Sequence, residues 1–157
     1  MGAVKRLAFR LEARNSMLVV AESCTGGWLA QSCTAASGSS RWFERGFVTY
    51  SNQSKQDMLG VPEDLIATHG AVSEAVVRAM VGGAIARSRA DVGVAISGIA
   101  GPTGGSPDKP VGTVWFAWAG PDGVTARGVR LFGDRGMVRR QAVMIALEGL
   151  LALLGDD

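Results

Sequence analysis

Apolar residues recur at helical spacing from the start of the chain. Val4, Leu7, Ala8 and Leu11 share one face, which predicts an amphipathic helix over residues 3–14, ended by Asn15-Ser16. Met17 to Ala21 is a short Val- and Leu-rich run and predicts a buried strand. The turn Thr25-Gly26-Gly27 follows, then an apolar, alanine-containing helix from Trp28 to Ala36 and a loop at Ser37 to Ser40. Phe47 to Tyr50 is β-branched and aromatic and predicts a strand. Asn52 to Leu59 is polar and predicts a helix containing Lys55. Gly60-Val61-Pro62 breaks it, with Pro62 placed to open another short helix.

Ser73 suits the N-cap of a helix reaching about Arg89, with Val76, Val77, Met80, Ala84 and Ile85 as its apolar stripe. Gly82-Gly83 lies inside that helix at a cost of about 1 kcal/mol per glycine relative to alanine, so close packing against a neighbour is expected there. Val92 to Ile96 predicts a second buried strand. Gly112–Ala119 and Val124–Phe132 predict two strands of a hairpin turned by Gly120-Pro121-Asp122-Gly123. Asp134 caps a last helix to about Leu154. Strands alternating with helices, plus one hairpin, predict a single α/β domain over residues 1–157: three layers, α/β/α, around a mixed sheet.

Composition narrows the classes. A chain of 157 residues, 47% hydrophobic and 19% charged, buries a core without disulfides or metals. A formal net charge of +2 is too small to argue for nucleic acid. No apolar run approaches the roughly 18 residues of a membrane helix. The first fourteen residues lack the apolar core of a signal peptide. A cytoplasmic protein without a membrane partner is expected. Cys24, Cys33 and His69 make neither a CxxC pair nor a zinc-ligand set.

Three places carry candidate chemistry. Ser23 sits where a strand turns into a helix, the position at which open α/β sheets bind ligands. Backbone N–H groups beside it suit an oxyanion or phosphate, and Gly26 and Gly27 permit close approach. A plain helix cap is the other reading of the same residues, and the spacing is not that of GxSxG. A serine nucleophile needs a base. His69 lies in a loop before a helix and reads as structural. Lys55 serves as a base only if its pKa is depressed, and otherwise reads as a solvated helix position. Tyr50 reads as a core aromatic with its hydroxyl at the sheet end.

The second place is the loop Gly98 to Gly112, with five glycines and three prolines between two strands. Loops this long are either shaped for a ligand or disordered. No Gly-Lys-Ser/Thr makes it a P-loop. The third is Arg135, Arg139 and Arg140 in the first turns of the last helix. There they oppose the helix dipole unless an anion binds, and otherwise form a solvated face.

Six stretches together resemble the CinA C-terminal domain, or PncC type, a family of nicotinamide-nucleotide amidohydrolases. They are Ala21-Glu22-Ser23-Cys24-Thr25-Gly26-Gly27, Gly46 to Asn52 with Lys55, His69 to Glu74, Ile96 to Pro102 with Gly104-Gly105, Lys109 to Trp115, and Gly133-Asp134-Arg135. They stand in the family's order over nearly the whole chain, and no N-terminal companion domain is expected. The resemblance implies hydrolysis of the carboxamide of nicotinamide mononucleotide to nicotinate mononucleotide and ammonia. It implies Ser23 as nucleophile, Lys55 as base and Tyr50 as an aid to proton transfer or to Lys55 orientation, with no metal and no cofactor. Thr25, Gly26, Gly27, Gly101, Thr103, Gly104, Gly105, Arg139 and Arg140 are the expected substrate contacts, the phosphate falling to Arg139, Arg140 or the glycine loop. The partner is a small nucleotide. A homodimer is the default assembly. A non-catalytic nucleotide-binding module and a thiol hydrolase using Cys24 are the competing readings. A DNA-linked role, suggested by the family's association with competence, finds no support in the charge pattern.

Overall fold

The apolar run after the first helix forms β1 (Leu18–Glu22), buried at all five positions. It pairs in parallel with β2 (Phe43–Val48) on one side and with β3 (Val92–Gly98) on the other, so neither edge is free. The hairpin β4 (Thr113–Gly120) and β5 (Gly123–Arg130) adds two antiparallel strands, giving the order β2-β1-β3-β4-β5. The computed structural model describes residues 2–155.

Helices cover both faces. α1 (Ala3–Ala13), α2 (Trp28–Thr34) and α6 (Arg135–Leu153) lie on one side. α3 (Asn52–Leu59), α4 (Glu63–His69) and α5 (Glu74–Ala86) lie on the other. Successive side chains of β1 sort by the two-residue period of a strand: Leu18 and Val20 join the core under α1 and α6, Val19 and Ala21 the core under α5. The architecture is the three-layer α/β/α domain with a mixed sheet that the apolar pattern predicts.

Most predicted elements keep their bounds within two or three residues. β2 is the exception, starting at Phe43 and ending at Val48 rather than running from Phe47 to Tyr50. Glu44 and Arg45 mask its start, because β2 is an edge strand and carries charge outward. Its end is set by Ser51, whose side chain accepts the Ser54 N–H and caps α3. Tyr50 therefore lies in the short link between β2 and α3 and is 61% exposed, not in the core. Of the paired glycines in α5, Gly83 explains the motif: a Cβ there would fall 1.9 Å from the Leu59 carbonyl oxygen of α3. Gly82 faces open space.

The chain leaves β1 into α2 on one face and leaves β2 into α3 on the other. This reversal opens a crevice at the carboxyl end of β1. The 98–112 loop folds over that end. Ile99 N–H donates to Thr113 O at 2.9 Å, and Gly112 N–H donates to Ile99 O at 2.7 Å. The Lys109 ammonium donates to the His69 carbonyl, tying the loop to the end of α4. Gly112, at φ +94°, lets the loop rejoin the sheet where a side chain would collide with the Leu131 carbonyl.

Candidate active site

Ser23 follows β1 directly. Its N–H donates to Ile96 O at 3.1 Å, which prolongs the β1–β3 ladder by one residue and fixes the Ser23 backbone at the crevice. Lys55 comes from α3, where Lys55 and Leu59, four residues apart, form the buried face of an otherwise polar helix. Only 1% of Lys55 is exposed. Its Nζ lies 3.0 Å from Ser23 Oγ, and it donates to the carbonyls of Thr49 at 2.9 Å and Tyr50 at 3.2 Å. Burial pushes the Lys55 ammonium from its ordinary 10.5 down to about 8, against a smaller upward pull from Cys24.

Ser23 and Lys55 sit in a cleft of about 310 Å³. Its other walls are Ala71 and Val72 before α5, Ser97 to Gly101 with Thr103 and Gly104 from the long loop, and Arg135 from α6. Ser97 Oγ donates to Ala71 O at 2.9 Å and so pins one wall to the end of β3. Asn52, at the first turn of α3, and Tyr50 line the mouth. The Tyr50 hydroxyl accepts from Arg135 Nη2 at 3.0 Å, while Arg135 Nη1 donates to Gly101 O at 2.9 Å. Tyr50 thus meets Lys55 through its main-chain carbonyl, while its phenol is engaged with Arg135.

The expected contacts divide. Ser23, Tyr50, Lys55, Gly101, Thr103 and Gly104 line the cleft. Thr25, Gly26, Gly27, Gly105, Arg139 and Arg140 do not. The Thr25 hydroxyl is buried and donates to Glu22 Oε1 at 2.6 Å. Gly26 and Gly27, at φ +60° and +103°, shape the turn instead of facing the cleft. Gly105 is packed against the Val111 backbone. Arg139 is held by the carbonyls of Cys24 and Thr25. Arg140 borders a separate groove between α1 and α6. Of the three arginines only Arg135 lines the cleft. Arg139 shares its helix face but sits one turn further along, where the Cys24 and Thr25 carbonyls hold it, and Arg140 projects from a different face.

Sequence reasoning passed over Glu22, Asn52 and Ser97. All three lie within the quoted motif stretches, at the end of a strand or the start of a helix, but carried no assigned role there. Cys24 lines the cleft, yet burial pushes its thiol up to about 11. A thiol kept protonated at neutral pH is a poor nucleophile, which counts against the cysteine reading. Among the described residues no group of three or more His, Cys, Asp or Glu side chains is placed to hold a metal ion, and no helix is long and apolar enough to cross a membrane.

The fold and the cleft define a class: single-domain α/β proteins with a buried serine–lysine contact at the carboxyl ends of parallel strands. The CinA C-terminal domain profile matches residues 2–154, and the chain belongs to that family. It is 58% identical over 142 residues to the nicotinamide-nucleotide amidohydrolase PncC of Escherichia coli strain K12, covering 89% of this chain and 86% of that one. It is 55% identical over 148 residues to the PncC of Pseudomonas putida, covering 94% and 92%. The crystal structure of a CinA-superfamily protein from Klebsiella pneumoniae superposes with a TM-score of 0.94 at 40% identity, covering 98% of this chain and 96% of that one.

Proposed function

We propose that this chain is an amidohydrolase that converts nicotinamide mononucleotide and water to nicotinate mononucleotide and ammonia through Ser23 and Lys55. Two close relatives named for that class of activity support the substrate. The observation that carries the mechanism is the buried 3.0 Å contact between Lys55 Nζ and Ser23 Oγ. A neutral amine has two N–H groups and one lone pair. The carbonyls of Thr49 and Tyr50 take the two N–H groups, so the lone pair faces the Ser23 hydroxyl. Lys55 accepts the hydroxyl proton as Ser23 Oγ bonds to the amide carbon. The same proton passes to the departing nitrogen, which leaves as ammonia. Water, deprotonated by Lys55, then cleaves the acyl-serine ester and restores both residues.

Charge on the carbonyl oxygen needs N–H donors. The N–H groups of Gly26 and Trp28 are engaged by the carbonyls of Ser23 and Thr25. Those of Cys24, Thr25 and Gly27 are the donors the turn has to offer, with the 98–104 segment opposite. Arg135 is the cation at the cleft wall, and its neutral partners, the Tyr50 hydroxyl and the Gly101 carbonyl, are weaker acceptors than a phosphate. We assign the nucleotide phosphate to Arg135, in place of Arg139 or Arg140. The protein would work in the cytoplasm, where Cys24 and Cys33 stay as the free thiols seen here. It would act as a homodimer, which sedimentation velocity tests.

Ammonia release from nicotinamide mononucleotide tests the reading. Ser23→Ala and Lys55→Ala should each lower kcat by about 10³-fold or more with the fold retained. Substrate binding without ammonia release by the unaltered protein would instead mark a binding module. Arg135→Ala should raise KM by roughly 10–100-fold with kcat little changed, because a phosphate contact is largely uniform binding. An unchanged KM would remove Arg135 from the phosphate site.

A further inference from the structure

Glu22 is the last residue of β1 and is fully buried. Its Oε1 accepts from the Thr25 hydroxyl at 2.6 Å and from the Leu29 N–H at 2.9 Å. Its Oε2 accepts from the Ala30 N–H at 3.0 Å. A buried carboxylate survives only with such partners. All three partners belong to the turn after Ser23 or to the first turn of α2.

Arg139 grips the same turn from the side of α6. Its Nε donates to Cys24 O at 3.0 Å and its Nη2 to Thr25 O at 3.1 Å, and the guanidinium lies 5.5 Å from the centre of the Trp28 ring. In a trans peptide the carbonyl and the following N–H point in opposite directions. Drawing the Cys24 carbonyl to Arg139 therefore turns the Thr25 N–H away from α6. The next N–H, of Gly26, is closed onto Ser23 O at 3.0 Å. Neither Glu22 nor Arg139 lines the cleft.

We propose that Glu22 and Arg139 are positioning residues: a buried carboxylate on one side and a guanidinium fork on the other fix the peptide groups after Ser23. Together they set the direction of the nucleophile and of the N–H donors beside it. This assignment rests on Ser23 as the nucleophile. It gives both charges a catalytic purpose with no contact to substrate, since a displacement of about 1 Å at reacting atoms costs on the order of 10²-fold in rate.

Glu22→Gln keeps the shape of the side chain. Its amide oxygen can retain the Thr25 and Leu29 donors while its NH2 group opposes the Ala30 N–H. Arg139→Gln removes the fork. We expect each folded variant, assayed for ammonia release well below its unfolding temperature, to lose at least about tenfold in kcat with KM within twofold. The double variant should lose less than the product of the two single losses, because both act on one turn. A kcat within twofold of the unaltered protein in folded Glu22→Gln would overturn the assignment, leaving a purely structural cap. A rise in KM at constant kcat in Arg139→Gln would overturn it in favour of a phosphate ligand. Should Glu22→Gln fail to fold, Arg139→Gln alone decides through the same split. Ser23→Ala run in parallel separates the two claims. An inactive Ser23→Ala beside fully active Glu22→Gln and Arg139→Gln overturns the clamp alone. An active Ser23→Ala overturns the nucleophile itself.

Discussion

Lys55 combines a nearly complete burial at the cleft wall with three hydrogen-bond acceptors. Burial disfavours its charged form, so the ammonium loses its proton near pH 8 rather than 10.5. Under the proposed mechanism the neutral amine is the working form. kcat/KM should therefore rise with pH and reach half its limit near pH 8, then level off until another group titrates. A kcat/KM flat from pH 6.5 to 9 would contradict a lysine base. Stability follows from the same shift. The folded pKa lies below the unfolded one, so between about pH 8 and 10.5 the unfolded chain binds more protons. Unfolding free energy should climb over that window by up to about 3 kcal/mol from this group, relative to a Lys55→Met variant followed by urea denaturation. Below pH 8 both states are charged and the penalty is fully present. At this scale the sequence named the candidates. It did not show the depressed pKa, because desolvation is supplied by residues distant along the chain.

Elements place these side chains. α3 has only eight residues, and it holds Lys55 against Ser23 because its C-terminal end packs directly on α5. Gly83 makes that approach possible, with the Leu59 carbonyl where a methyl group would stand. Gly83→Ala should push α3 outward, destabilise the fold by roughly 2–4 kcal/mol in urea denaturation and reduce turnover. Gly82→Ala meets open space and should stabilise by about 0.5–1 kcal/mol through helix propensity alone. Equal effects from the two substitutions would contradict this packing. The paired glycines were visible as a close-packing signal, and which of the two carries it was not. The early start of β2 was hidden for a related reason. Glu44 and Arg45 read as loop residues until the strand's place at the sheet edge is known.

Across the molecule the cleft joins pieces from both helical layers and from the sheet. Ser23 comes from the end of β1, Lys55 from the layer of α3–α5, and Arg135 from α6 in the opposite layer. A ligand bound there would bridge all three layers and couple to global unfolding. Nicotinamide mononucleotide at about 100 times its Kd should raise the unfolding temperature of the inactive Ser23→Ala variant by roughly 5–10 °C. Adding Arg135→Ala should cut that rise by about half or more at the same concentration. An undiminished shift in the double variant would place the phosphate elsewhere.

Local physics settled what the sequence could show by itself. Hydrophobic periodicity and capping residues determine nearly every helix and strand, and their alternation determines three layers. The resemblance of six ordered stretches picked out Ser23 and Lys55, thirty-two positions apart. Tertiary structure alone decided the rest. It brought that pair to 3.0 Å, turned Tyr50 outward to Arg135, put Arg135 and not Arg139 or Arg140 at the cleft, and set Glu22 and Arg139 around the turn after Ser23. The physical reason is common to all four. A side chain's direction, and the charge state its burial permits, depend on where packing puts its neighbours, from thirty-two positions away for Ser23 and Lys55 to more than a hundred for Arg139 and Cys24.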